Sequence, residues 1–488
     1  MQKVLEMYLD ELITCDHHLE IDTVTDDSRQ KGGNILFVAV KGLTVDGHKY
    51  VKNAVENGAV AVICEHETEG IDVPQIVVKD TNLAYNVILN RFYGYPLDRM
   101  KIIGVTGTDG KTTTSEIMYQ LINALGRKAG YIGTNGIRSE HYTQENDYST
   151  PLPAELFRAF DGLRKDGCEY VSMEATGERL GTDKMKGVSF DASIFTNLTR
   201  DALDVFHTMD NYANAKAKLM EYTNPDGICV INADDEYCEV FKDAANSLVT
   251  TYGIKKKADV YATDIEIAYE HLSFNMHGAL GEHHVVSPLS GEYNVYNLMA
   301  ALICLHHFGL SVNRLIEAIE ELKPVEARQT LLDFGQPFKV IVDYAHTANA
   351  VKNLVEYIRQ TMTFGRLVIV VGAGGSRDVH RRTDMAEYCT ANADYNYFTI
   401  EDARFEDPRM LVDTMVSTVP EAENYELIVD RDEAITKAIK DAKPGDNILI
   451  LGKGAERYMM TMGKNVERLN DIERATLVLN ELGYTGKE

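Results

Sequence analysis

At 488 residues, with 44% hydrophobic and 25% charged positions, the chain carries enough apolar sequence for about three domains, each with its own core. A formal net charge of −26 argues against non-specific association with nucleic acid or anionic membrane, and no apolar run reaches membrane-spanning length. Seven scattered cysteines without a Cys-x-x-Cys pair, and an N-terminus bearing Glu6, Asp10, Glu11 and Asp16, predict reduced thiols in a cytoplasmic protein without a signal peptide.

Residues 1–98 read as a first α/β unit. Thr25-Asp26-Asp27-Ser28-Arg29 precedes an apolar strand, Ile35-Leu36-Phe37-Val38-Ala39-Val40, and Asp46-Gly47-His48 precedes a helix holding Val51, Ala54 and Val55. Ala59-Val60-Ala61-Val62-Ile63-Cys64 is nearly all apolar, as strands buried on both faces are. Taken alone, the polar residues here are turn formers. Tyr93-Gly94-Tyr95-Pro96 reads as the linker out.

Residues 99–327 read as a second unit, organised around Gly104-Val105-Thr106-Gly107-Thr108-Asp109-Gly110-Lys111-Thr112-Thr113-Thr114. Lys101-Ile102-Ile103 ends a buried strand ahead of it, and Ile117, Met118, Leu121, Ile122 and Leu125 recur at helical spacing behind it. Such a turn points backbone N–H groups and the positive end of a helix dipole at one spot, which suits phosphate. Lys111 would reach the terminal phosphates of a nucleotide and the Thr112 hydroxyl a Mg²⁺ ion. The commonest form of the motif wants glycine at Val105; the glycines here are Gly104, Gly107 and Gly110. The bland alternative is a turn with an incidental lysine, which the strand before and the helix after disfavour.

Further strands are predicted at 131–134, 169–173, 192–197 and 228–232, a looser alternation over 260–286, and helix over 297–322. Functional residues of open α/β sheets gather at the carboxyl ends of strands. Glu174 ends one strand and suits a Mg²⁺ shared with Thr112, or is a solvated strand end. Asn197 and Asp201 follow another. Lys216 is placed in an early helical turn, where most lysines are simply exposed.

Residues 328–488 alternate again, with strands at 338–342, 367–371, 395–399, 427–429 and 447–451 and helices over 348–362 and 431–442. This predicts a third, Rossmann-like unit. Asp343-Tyr344-Ala345-His346-Thr347, a glycine-rich turn at Gly372-Ala373-Gly374-Gly375-Ser376-Arg377-Asp378, and Gly452-Lys453-Gly454 all fall at strand ends, as a ligand-facing rim would. The pairs His17-His18, His283-His284 and His306-His307 lack partners at metal-ligand spacing and are expected to be surface or core histidines.

Taken together, these motifs resemble the Mur ligase family of ATP-dependent amide-forming enzymes in peptidoglycan synthesis. The resemblance spans nearly the whole chain in order. It rests on Asp27-Ser28-Arg29 with Asp46-Gly47-His48, on Thr106 to Thr112, and on Ser149-Thr150-Pro151 and Asn214-Ala215-Lys216. Tyr293-Asn294-Val295-Tyr296-Asn297 and Asp343-Tyr344-Ala345-His346-Thr347 complete it. It implies an N-terminal UDP-substrate domain, a central ATP-binding domain and a C-terminal amino-acid-binding domain. The implied reaction adds a third amino acid, a free diamino acid, to UDP-N-acetylmuramoyl-L-alanyl-D-glutamate through an acyl phosphate.

By the same resemblance Ser28 would hold the uridine end, and Ser149 and Thr150 the muramoyl peptide. Gly107, Thr108, Asp109, Gly110, Lys111, Thr112 and Thr113 would cradle ATP, with Asn297, Arg328 and Asp343 positioning the nucleotide and His346 near it. Thr112, Glu174 and a carbamylated Lys216 would serve Mg²⁺.

Some segments depart from the family pattern. Asp201-Ala202-Leu203-Asp204 stands where Asp-His-Leu-Asp is usual, which removes a histidine expected at a second Mg²⁺; His207 is the nearest substitute. Ala175-Thr176-Gly177-Glu178 replaces Val-Ser-Ser-His. Glu401-Asp402-Ala403-Arg404 replaces Asp-Asn-Pro-Arg, and Gly452-Lys453-Gly454-Ala455-Glu456 replaces Gly-Lys-Gly-His-Glu. Arg404 suits a distal carboxylate and Glu456 a distal ammonium, which favours diaminopimelate over lysine. The alternatives are a paralogue acting on another carboxylate or amine, and a nucleotide-binding relative that has lost ligation.

Overall fold

The computed structural model describes residues 19–42, 45–146, 148–362 and 365–485. Cys15 and His17-His18 lie outside them. The remaining six cysteines are buried free thiols.

Three sheets carry the fold. The first is a four-stranded parallel sheet in the order Thr23–Thr25, Ile35–Val38, Ala59–Cys64, Gln75–Val77. Helix Thr81–Phe92 ties this unit to the next, because the Asn86 amide donates to the carbonyls of Lys184 and Lys186 at 3.0 and 2.9 Å.

The second sheet has eleven strands. Its parallel centre runs Leu248–Gly253, Thr223–Asn232, Phe190–Phe195, Lys101–Thr106, Tyr170–Glu174, Ala129–Gly133. The looser alternation after Val260 is an antiparallel meander, Val260–Ala268, His271–Gly278 and His283–Ser287. Helix Lys111–Ala124 buries Ile117, Met118, Leu121 and Ile122 against Ile103, Val105 and helix Glu292–His307. Each such side chain contributes about 1.5–3 kcal/mol of burial, which anchors the glycine-rich turn rigidly to the sheet. Lys101–Thr106 lies between Phe190–Phe195 and Tyr170–Glu174, so three carboxyl ends open side by side.

The third sheet runs Thr330–Leu332, Lys339–Asp343, Asn447–Leu451, Leu367–Ala373, Tyr395–Ile400, Tyr425–Leu427, parallel after its first, antiparallel strand. A hairpin, Tyr458–Thr461 with Lys464–Glu467, follows.

Several elements differ from the sequence expectation. Helix Met209–Glu221 starts at the Thr208 cap, whose hydroxyl accepts from Asn211 N, so Lys216 sits in mid-helix and not in an early turn. The strand expected at 427–429 is Tyr425–Leu427, because it pairs with Asn396–Phe398 and Asp430 caps the following helix. Gly372 and Ala373 belong to a strand, paired with Thr399 and Ile400, so the glycine-rich turn begins at Gly374. The predicted helix over 297–322 is two helices, Glu292–His307 and Val312–Ile319, parted at Gly309 with φ +80°.

Candidate active site

A cleft of about 1070 Å³ opens at the carboxyl ends of the central sheet and reaches the third unit. The glycine-rich turn forms its floor. Gly107 has φ +147° and an added Cβ would sit 1.9 Å from Thr196 Oγ1, so no side chain fits. Gly110 caps helix Lys111–Ala124 at φ +85°, with Asn297 Oδ1 only 2.8 Å from where a Cβ would be. The turn is pinned from the neighbouring strand end: Asn197 Oδ1 accepts from Asp109 N at 3.0 Å, and Thr196 Oγ1 donates to Asp109 O at 2.7 Å.

Two lysines converge on this turn. Lys111 Nζ donates to the carbonyls of Gly107 and Thr108 at 3.1 and 2.8 Å. Lys216 Nζ donates to the Gly107 carbonyl at 2.6 Å and stands 4.6 Å from the Tyr212 ring centre. Only 1% of Lys216 is exposed, which excludes the surface-lysine reading. Burial, and then the Lys111 charge, push its amine well below the usual lysine range, against the opposing pull of Asp201 and Asp109.

Glu174 is likewise buried, at 1% exposure, and is not a solvated strand end. Its Oε1 accepts from Thr112 Oγ1 at 2.9 Å, Tyr131 OH at 3.1 Å and Thr134 N at 2.8 Å. Ser149 Oγ lies 2.8 Å from Thr134 Oγ1. Thr150 Oγ1 donates to Glu174 O at 2.9 Å and accepts from Thr176 N at 3.0 Å, which fixes the Ser149-Thr150 segment to the same strand end.

The third unit supplies the opposite wall. Arg328 Nη2 donates to Thr112 Oγ1 at 2.9 Å, and its guanidinium lies 4.6 Å from the Tyr344 ring centre. Asp343 accepts from Gln329 N and Ala345 N, each at 2.7 Å, and burial raises its carboxyl. Thr347 Oγ1 and Asn349 Nδ2 each reach the Asp109 carboxylate at 3.2 Å; burial raises that group too. His346 is pushed down to about 3 by burial and then by Arg381, so its imidazole is neutral. Arg381 donates to the His346 carbonyl and pairs with Asp201 at 3.5 Å. Burial raises the Asp201 carboxyl, but the Arg381 charge, with Arg377 behind it, holds it below its ordinary range.

The structure thus brings Thr108, Asp109, Gly110, Lys111, Thr112, Thr113, Ser149, Thr150, Glu174, Lys216, Asn297, Arg328, Asp343 and His346 around one cleft. Asn297 serves it as a buttress, accepting from Thr114 Oγ1 at 3.1 Å and donating to Asn294 at 3.0 Å. Ser28 lies apart, in the first unit, with its carbonyl accepting from Asn57 Nδ2 at 2.8 Å. Arg404 and Glu456 are not among the residues that line the cleft, though Glu456 touches one that does, Tyr344. Arg404 has φ +53°, is clamped through its backbone to Met460 and Gly463 of the hairpin, and forms no ion pair among the described residues. Burial, then Arg377, pull it below the usual arginine range. Glu456 accepts from Tyr344 OH and pairs with Lys453, which also reaches Asp402 at 3.1 Å. His207 is exposed and outside the cleft wall, so it does not stand in for the histidine absent at Ala202.

Sequence reasoning missed Tyr131 and Thr134 on Glu174, the Asp109 contacts with Thr347 and Asn349, and Arg381. Thr134 follows the strand Ala129–Gly133 beside Glu174 and so carried a strand-end signal, whereas Tyr131 is in the middle of that strand and Arg381 is in the first turn of helix Val379–Asn392, where no local signal marks them.

A glycine-rich loop at a helix N-terminus, a buried carboxylate on its threonine and two lysines over its carbonyls, faced by a further α/β unit, are the features of an enzyme that moves a phosphoryl group from a nucleotide. Residues 20–93 match the Mur ligase family catalytic domain, 105–305 the Mur ligase middle domain, and 327–454 the Mur ligase glutamate ligase domain. The chain is 36% identical over 490 residues to a Bacillus velezensis protein, covering 99% of each, and 38% identical over 463 residues to one from Geobacillus thermodenitrificans, covering 93% of this chain and 94% of that one. Both relatives are named UDP-N-acetylmuramoyl-L-alanyl-D-glutamate--2,6-diaminopimelate ligase. A solved structure of an enzyme with that name superposes with a TM-score of 0.67 at 26% identity, covering 98% of this chain and 99% of the other. The chain belongs to the Mur ligase family, whose members are ATP-dependent amide-forming ligases.

Proposed function

We propose that the protein joins diaminopimelate to UDP-N-acetylmuramoyl-L-alanyl-D-glutamate at the expense of ATP, in the cytoplasm. The observation that carries this reading is the Thr112–Glu174 contact beneath the Ser149-Thr150 segment. It supports the reading because it would set a nucleotide-phosphate site and an acceptor site against one strand end. Residues 1–98 would hold the uridine end through Ser28, residues 99–327 the ATP, and residues 328–488 the amino acid.

A carboxylate is too poor an electrophile for an amine, so it must first take the terminal phosphoryl group of ATP. Lys111 and the backbone N–H groups of the loop steady the charge on that group as it moves. The amine then attacks the acyl phosphate, loses a proton, and phosphate leaves. Water would destroy the acyl phosphate, and the contacts of Arg328 with Thr112 and of Thr347 with Asp109 hold the third unit over the loop to exclude it.

Thr112 and Glu174 present hard oxygen donors side by side, a set that fits Mg²⁺. When bound, the ion would supply positive charge to the phosphate oxygens. Lys216 is buried, and burial and then Lys111 push its amine well below the usual lysine range, which fits a lysine whose amine adds CO₂ to become an anionic carbamate.

Arg404, without an ion-pair partner among the described residues, is the group for the second carboxylate that distinguishes diaminopimelate from lysine. The test supplies ATP and the muramoyl dipeptide with diaminopimelate, lysine or ornithine and follows the UDP-muramoyl product by mass. A tripeptide with diaminopimelate in clear preference supports the reading. ATP binding without product from any amine contradicts it.

A further inference from the structure

The acceptor carries two carboxylates on its glutamate, and ligation consumes one. The other stays charged inside a protein of net charge −26 and needs a cation of its own. The cleft is lined by six basic side chains: Lys111, Arg179, Lys216, Lys255, Arg328 and Arg377. Lys111 and Lys216 are turned onto the carbonyls of the phosphate loop. Arg328 is bonded to Thr112, Arg377 lies 3.5 Å from Asp204, and Lys255 is 3.9 Å from Glu292. Arg179 is the one of the six that hydrogen-bonds the Ser149-Thr150 segment, where the acceptor is proposed to lie.

Arg179 is 9% exposed and is held on three sides. Its Nε donates to the Thr150 carbonyl at 3.2 Å, its Nη1 meets Glu178 Oε1 at 3.2 Å, and its plane lies 4.8 Å from the Tyr148 ring centre. Its Nη2 has no hydrogen-bond partner among the described residues. Glu178 is a weak competitor, since its side chain is 59% exposed and solvated. Thr150 links the two: its carbonyl accepts from Arg179 Nε and its hydroxyl donates to the backbone carbonyl of Glu174 at 2.9 Å. A planar, pre-oriented guanidinium with its Nη2 uncommitted is a donor that suits a carboxylate.

Resting on the proposed acceptor, we infer that Arg179 reads the glutamate carboxylate that is not activated, and so acts as a specificity residue for the muramoyl dipeptide. Tyr148 and Thr150 fix the plane of the guanidinium. The segment Gly177-Glu178-Arg179 thereby takes a role that neither the phosphate loop nor Arg404 can fill.

The test compares the natural acceptor with an analogue whose spectator carboxylate is a carboxamide, using wild type, Arg179→Gln and Arg179→Lys. Wild type should prefer the carboxylate acceptor by about tenfold or more in kcat/KM. Arg179→Gln should bring that ratio close to one by raising KM for the natural acceptor, with KM for ATP unchanged, and Arg179→Lys should recover part of the preference. An unchanged ratio in Arg179→Gln, or an equal loss with both acceptors together with a raised KM for ATP, would overturn the assignment and leave Arg179 a prop for Thr150. No turnover of either acceptor by wild type would overturn the proposed function and this inference together.

Discussion

Lys216 Nζ lies 2.6 Å from the carbonyl oxygen of Gly107, so a lysine from the middle of one helix closes the back of a phosphate loop built on another strand. Removing its amine should therefore cost catalysis more than folding. Lys216→Ala is expected to lower kcat by roughly 10²–10³-fold, the range for loss of one electrostatic group at a phosphoryl-transfer site. Steady-state rates with saturating substrates check this, and undiminished activity would remove Lys216 and the proposed carbamate from the mechanism.

Glu174→Gln keeps the shape but removes the charge from the group that accepts from Thr112, Tyr131 and Thr134. The expected result is a higher Mg²⁺ requirement and a rate at least roughly 100-fold lower, with the melting temperature little changed. A Mg²⁺ titration of the rate separates this from simple misfolding.

Arg404 offers charge-assisted hydrogen bonds of about 1.5–3 kcal/mol, so Arg404→Ala should raise KM for diaminopimelate roughly 10–100-fold. Any residual use of lysine should be unaffected. An equal loss for both amines would argue that the residue only shapes the loop at Glu401 to Arg404.

His346 titrates at about 3 when folded and near 6.5 when unfolded. Between those values the unfolded chain binds the extra proton, so this contribution to stability is present above the unfolded value and is lost as pH falls toward the folded one. The Tm advantage of wild type over His346→Gln should therefore shrink as pH is lowered from about 7 to about 5. An advantage that stays constant or grows would contradict a buried neutral imidazole.

Arg431 and Asp471 form a fully buried pair, Nη2 to Oδ2 at 2.6 Å, and Asp471 also accepts from Gly454 N at 3.1 Å. Asp471→Asn leaves the arginine uncompensated and should destabilise the protein by roughly 3–5 kcal/mol. Because the same carboxylate holds the turn bearing Lys453 and Glu456, amine affinity should fall in parallel in denaturant-free assays.

Much of this arrangement was legible in the sequence because it depends on local pattern. The strand Lys101–Thr106, the loop glycines and the apolar stripe of helix Lys111–Ala124 declare a phosphate site without any tertiary information. Glu174 and Asp343 were found by the rule that strand ends carry function. What escaped depends on non-local packing. The cap at Thr208 moved Lys216 into mid-helix, and the pairing of Gly372 with Thr399 turned an expected loop residue into strand. The burial of Arg179 under Tyr148 joins positions 31 residues apart, read from their numbers. Nor does a sequence pattern say that Asn297 spends its amide on Thr114 and Asn294.

The most direct measurement uses muramoyl dipeptide labelled with ¹⁸O in both glutamate carboxylates, with ATP and diaminopimelate. Attack of a carboxylate on the terminal phosphoryl group, followed by displacement by the amine, carries one labelled oxygen into each phosphate released. Mass analysis should find one ¹⁸O per phosphate, formed in step with the tripeptide product. Phosphate without label, or released regardless of the dipeptide, would contradict the account.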